Sequence, residues 1–129
     1  WGNEASGAVA KAVPVAADAL PEAIAPDEFS TLVASGKIFV VDVRNPEEFG
    51  EAHIPGSINI FDEDFIFKAK ESVAKLPTDQ RVVLLCNTGG RAASSYYAIL
   101  EESDYPNKGQ LQYLDNSITI VADGNFIIE

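Results

Sequence analysis

Arg81-Val82-Val83-Leu84-Leu85-Cys86-Asn87-Thr88-Gly89-Gly90-Arg91-Ala92-Ala93 joins an apolar run, a cysteine, a glycine pair and the opening of a helix without interruption. Residues 82–85 are four apolar side chains with no polar alternation. That pattern predicts a short strand covered on both faces, as in a parallel sheet held between helix layers. Cys86 then stands where the strand ends. From Ala92 onward the apolar positions Ala92, Tyr96, Ile99 and Leu100 recur at helical spacing, which predicts an amphipathic helix. Asn87 to Arg91 is therefore expected to be a strand-to-helix loop.

Gly89 and Gly90 let the backbone turn so that consecutive N–H groups face one concavity. The following helix adds its unpaired first-turn amides and its positive dipole end. Such a cradle binds anions. A cysteine at its rim is expected to react as the thiolate, the nucleophilic form, and Arg91 adds a positive charge in the same loop. Cys86 is thus the candidate catalytic residue, with Asn87, Thr88, Gly89, Gly90 and Arg91 as candidate substrate-binding residues. The competing reading makes Cys86 a small buried hydrophobe that closes a core strand.

Working outward, 129 residues with 47% apolar content suffice for one core and one domain. No apolar run approaches the roughly 18–20 residues that span a bilayer. Nine Lys and Arg against twenty Asp and Glu give a net charge of −11, which repels nucleic-acid phosphates and anionic membrane surfaces at long range. No nucleic acid and no membrane is expected as a partner. The single cysteine excludes an intramolecular disulfide, and a single histidine beside it excludes a cysteine/histidine zinc site, so neither metal nor cofactor is expected.

The chain contains no methionine, and residues 1–20 are rich in Ala, Val and Gly with little periodicity. They resemble a leader left after signal-peptide removal. The expectation is a flexible segment over 1–20, a folded domain over 21–129 and a periplasmic or otherwise exported protein, with a trimmed cytoplasmic chain as the alternative. Pro26, Asp27 and Glu28 open a short helix that Gly36 stops. Residues 38–43 predict a central strand. Asn45, Pro46 and Glu48 carry the chemistry of a capping box, with Gly50 closing that helix. Residues 57–60 predict a short strand, and His53, in the turn-rich segment before it, is given a structural hydrogen-bonding role. Residues 62–76, acidic in front, basic behind and followed by Pro77, predict one surface helix. Residues 110–114 predict the last sheet strand, and the tail, with Asp123-Gly124 between two apolar runs, predicts a hairpin. Strands alternating with helices indicate an α/β domain with a largely parallel sheet, whose ligands sit beyond the carboxyl ends of the strands.

Val41-Asp42-Val43-Arg44, Glu48-Phe49, His53-Ile54-Pro55-Gly56-Ser57-Ile58-Asn59 and Cys86-Asn87-Thr88-Gly89-Gly90-Arg91, in this order and spacing, resemble the single-domain rhodaneses, from about residue 21 to 114. The resemblance implies a rhodanese-like three-layer fold, a parallel central sheet flanked by helices, here with a C-terminal β-hairpin. It also implies a sulfurtransferase whose cysteine, Cys86, takes sulfane sulfur from a small anionic donor such as thiosulfate or polysulfide. The resulting persulfide, held by the amides of Asn87 to Arg91, passes its sulfur to cyanide, a thiol or an acceptor protein. In that family the Asp-x-Arg and His-Ile-x-Gly segments are mainly structural, so Asp42, Arg44 and His53 are not assigned to catalysis. Two departures stand out: Asn116-Ser117 and the hairpin replace a Gly-Gly pair and a Trp-containing helix, and Arg91 is the only basic residue of the loop. A non-catalytic binding or sulfur-carrier module is the alternative. A phosphatase or arsenate reductase is a lesser one, because those enzymes use Cys-x5-Arg and this chain has Cys-x4-Arg.

Overall fold

A computed structural model describes residues 19–129; the expected leader falls almost wholly outside the described residues. Four short parallel strands form the sheet: β1 (Phe39–Asp42), β2 (Ile58–Asn59), β3 (Val82–Leu85) and β4 (Leu111–Tyr113), in the order β2-β1-β3-β4. Phe39 lies opposite Val82, and Val82 opposite Leu111, so the central ladders start at one level. An isolated parallel bridge from Ala23 to Tyr113 extends the β4 edge.

Alternate residues of the strands feed two cores. Val41, Val43, Val82 and Leu84 meet Phe65, Leu76, Ala92, Tyr96 and Ile99 on one face. Val40, Val83 and Leu85 meet Ile24, Phe29, Ile54, Leu114 and Ile118 on the other. Every residue of β3 is fully buried, the burial that an unbroken apolar run requires.

Helix α1 (Pro26–Ser35) has Pro in its first turn with Asp27 and Glu28 at its positive end, and Gly36 closes it in the left-handed conformation at φ 69°. Helix α2 (Pro46–Glu51) carries the full capping box: the Asn45 side chain accepts from the Glu48 N–H, and the Glu48 side chain accepts from the Asn45 N–H. It runs one residue past Gly50, and an extended Ala52 ends it.

The single helix expected over 62–76 is two helices, α3 (Asp62–Phe67) and α4 (Ala69–Val73). Lys68 breaks them at φ −139°, ψ 49°, although its own N–H still reaches the Asp64 carbonyl at 2.8 Å. The break re-aims the chain so that Phe65, Ala69 and Leu76 all enter the core, and Ser72 Oγ bridges it by donating to the Asp64 carbonyl. A sequence periodicity averages over one such residue and misses it. The same pivot leaves Phe67 77% exposed.

Helix α5 (Gly90–Glu102) buries Ala92, Ser95, Tyr96 and Ile99. It begins inside the stretch expected to be loop, so Gly90 and Arg91 belong to its first turn. The tail forms the hairpin β5 (Ile118–Ile120) and β6 (Phe126–Ile128). Its turn spans residues 121–124, with the Gly124 N–H donating to the Val121 carbonyl, so Ala122 and Asp123 are the central pair and Gly124 follows at φ 90°. Phe126 packs edge-on against Phe29, at 5.7 Å between ring centroids, and fastens the hairpin over α1.

Candidate functional site

The carboxyl ends of β1 and β3 converge on a single region. There Asp42 and Arg44 form a buried ion pair at 2.7 Å, and Arg44 also donates to the Ala52 carbonyl. Asn59 donates to the carbonyls of Asp42 and Arg44, tying β2 to the same knot. Both charges are consumed structurally. His53 places Nδ1 2.8 Å from the Phe49 carbonyl and stacks on the Phe49 ring at 3.9 Å, which ties it to α2.

Cys86 follows β3 directly and has no exposed surface. It therefore lies at the floor of the loop, not at the rim. Two backbone N–H groups point at its Sγ, that of Gly89 at 3.1 Å and that of Ala92 at 3.4 Å. Ala92 is the third residue of α5, where amides have no intrahelical acceptor. Hydrogen bonds from such donors stabilise charge on sulfur. Of the expected set, Gly89 supplies one of these amides, while Ala92 lies one residue beyond it.

The two glycines have different tasks. Gly89 sits at φ 98°, and a Cβ there would meet the Asp115 backbone at 3.0 Å. Gly90 is helical and would meet nothing nearer than Thr88 Oγ1 at 3.9 Å. Thr88 is exposed. Asn87 anchors the loop twice: its carbonyl accepts the Ile118 N–H of the hairpin at 2.9 Å, and its side-chain amide donates to Glu48.

Arg91 does not stand free before the thiol. Its guanidinium donates to both oxygens of Glu48, at 2.8 and 3.2 Å, in a bidentate fork. Glu48 thus holds Asn87 and Arg91, the two ends of the expected loop, from a neighbouring helix. The Arg91 bonds chiefly, with smaller help from the Asn45 N–H and Asn87, outweigh burial and hold the Glu48 carboxyl at about 2, against an ordinary 4.5. In the sequence Glu48 shows only as a capping-box residue, and nothing local signals its second partner 43 positions away. Asp62 also went unsignalled. It is 8% exposed and its Oδ1 meets no partner.

Among the described residues no group of three His, Cys, Asp or Glu side chains is placed to hold a metal ion. No helix among them is long and apolar enough to cross a membrane. A cleft beside α3 and α4 is lined by Ile66, Phe67, Lys70 and Glu102 and shares no residue with the cysteine loop.

A parallel α/β sheet with a cysteine at a strand's carboxyl end, under a loop that runs into a helix N-terminus, defines the class of cysteine-loop proteins. The Rhodanese-like domain model matches residues 25–124, and the chain belongs to that family. The chain is 38% identical over 77 residues to the probable adenylyltransferase/sulfurtransferase MoeZ of Mycobacterium tuberculosis, a match covering 59% of this chain and 19% of MoeZ. It thus spans about a fifth of that relative. A rhodanese-related protein of Thermoplasma volcanium superposes with a TM-score of 0.59 at 20% identity, over 75% of this chain and 86% of that one. The human single-domain sulfurtransferase TSTD1 gives 0.57 at 20% identity, over 74% and 89%. These two likenesses establish the shared fold.

Proposed function

We propose that this protein is a sulfurtransferase that carries sulfane sulfur as a persulfide on Cys86. The observation that carries this reading is the pair of N–H groups, from Gly89 and Ala92, aimed at a cysteine Sγ at the end of β3. Family membership and the name of the MoeZ relative support it. The Cys86 thiolate attacks the outer sulfur of a donor such as thiosulfate or polysulfide, and the donor's remainder leaves with the bonding electron pair. The amides and the α5 dipole then stabilise the charge of the persulfide. In the second half-reaction cyanide, a thiol or an acceptor protein attacks the outer sulfur, and the Cys86 thiolate is the leaving group. The two half-reactions give ping-pong kinetics.

Incubation with donor alone is expected to add about 32 Da, one sulfur atom, to the intact protein, since the first half-reaction stops at a covalent intermediate. Cys86→Ser should abolish both this increment and turnover while keeping the melting temperature close to that of the parent. A retained increment in Cys86→Ser would sink the proposal.

The complete burial of Cys86 favours a second reading, a binding or carrier module that exchanges sulfur only when a partner opens the loop. Absence of the increment with every small donor, followed by its appearance with a persulfidated protein donor, would select that reading.

A further inference from the structure

Cys86 has no exposed surface, so no donor reaches its Sγ until something moves. Its loop is held from two sides. On one side the Glu48 carboxylate grips Asn87 and Arg91 with charge-assisted hydrogen bonds. On the other lies the segment 115–129, which carries the hairpin. The Asp115 backbone stands 3.0 Å from where a Cβ of Gly89 would be, and Gly89 is the residue whose N–H points at Sγ at 3.1 Å. The Ile118 N–H donates to the carbonyl of Asn87, next to the cysteine, at 2.9 Å. Among the described residues this is the one hydrogen bond that leaves 115–129. The others that the segment makes, such as Glu129 N–H to the Ser117 carbonyl, close within it.

Strands β5 and β6 pair with each other and with no strand of the parallel sheet. A ribbon of two strands is marginal in water by itself. What fastens this one is apolar. Ile118, Ile120, Phe126 and Ile128 pack on the core beneath α1, the Phe126 ring meets Phe29 edge-on, and the turn rests on Pro55, whose Cδ lies 2.7 Å from where a Gly124 Cβ would be. The outer face is bare, with Ile127 65% exposed. A lightly attached unit thus touches the loop that buries the thiol, and local openings are drawn from such units.

We propose that the hairpin is a gate: the segment 115–129 lifts from the domain as a unit, breaking the Ile118–Asn87 hydrogen bond and drawing Asp115 away from Gly89, and Cys86 is reached in that open state. Glu48 meanwhile holds the other side of the loop, so the gate closes again on the same partners. The purpose of the gate rests on the sulfurtransferase reading, but access to the thiol can be read without sulfur.

Iodoacetamide, whose iodide the thiolate displaces, reports that access in the full chain. Alkylation of Cys86 is timed at stepped urea below the unfolding transition, and amide hydrogen exchange is followed under the same conditions. Opening the gate exposes part of the surface that unfolding exposes. The logarithm of the alkylation rate should therefore rise with urea at well under half the slope of global unfolding. The Ile118 amide, which breaks its bond in the open state, should be at least about tenfold less protected than the Leu114 amide, which bonds the Leu84 carbonyl of β3 and stays. Phe126→Ala removes the contact with Phe29 and should speed alkylation about tenfold, whereas Val73→Ala, at the opposite core, should lower the melting temperature without changing it. A urea slope equal to that of global unfolding, an Ile118 amide as protected as that of Leu114, or the same effect of both variants on alkylation would overturn the gate. Should Phe126→Ala not fold, the slope and the exchange of the parent protein decide. A gate that opens while no sulfur donor loads Cys86 would instead overturn the sulfurtransferase reading and leave the gate standing.

Discussion

Gly89 shows how one residue type can be fixed by two constraints at once. Its φ of 98° disfavours any side chain, and the Asp115 backbone fills the space a Cβ would need. Gly89→Ala is expected to lower stability by about 1–3 kcal/mol, the range for a side chain forced into a sparsely populated backbone region. It should also weaken persulfide formation, because the same peptide N–H points at Cys86 Sγ. Gly90 makes the control. It is helical and open, so Gly90→Ala should leave stability unchanged or raise it by up to about 1 kcal/mol, through the entropy of the unfolded chain. Thermal melting of the two variants side by side is the measurement, and equal destabilisation would refute the distinction.

Between elements, Glu48 is the joint. It caps its own helix α2 through Asn45 and grips the start of α5 through Arg91 and the cysteine loop through Asn87. Its carboxyl titrates near 2 in the folded protein against an ordinary 4.5. A depressed folded value means that the joint contributes its full stability above about pH 4.5 and loses it as pH falls toward 2. The Glu48→Gln variant should therefore show a flatter decline of stability over that window, as measured by urea unfolding at stepped pH. At neutral pH the variant should also expose the thiol more often, so iodoacetamide should alkylate Cys86 several-fold faster than in the parent. An unchanged alkylation rate would show that the joint does not hold the loop closed.

Across the whole molecule the Arg44 guanidinium, held by Asp42, fastens the carboxyl end of β1 to the segment after α2, and the Asn59 side chain ties β2 to the backbone carbonyls of the same two residues. Both side chains are buried, and each satisfies the other. Arg44→Met leaves the Asp42 carboxylate buried without its partner, a loss expected to be about 3–5 kcal/mol. Replacing both residues with apolar side chains of similar volume should recover most of it. Chemical denaturation of the single and double variants tests this; an additive loss in the double variant would mean that the pair is not the unit. The loss should spread beyond the pair because the knot joins β1 and β2 to the segment after α2.

The layered order of strands and helices, the position of Cys86 at a strand end, the caps at Gly36 and Asn45, and the terminal hairpin are all legible in the order of residues alone. These follow from local chemistry: an unbroken apolar run, helical spacing, a proline or glycine where backbone geometry requires it. The break at Lys68 was not legible, because residues 62–76 keep a helical composition throughout and only the need to bury Phe65, Ala69 and Leu76 together bends the chain. Nor could composition show that Arg91 is already paired. Its partner Glu48 lies 43 residues away, and a local capping motif fully accounts for that glutamate in one dimension. The pairing at the site follows from tertiary packing, because electrostatic neighbours are set by distance in space, and the approach of α2 to the start of α5 brings Glu48 to Arg91.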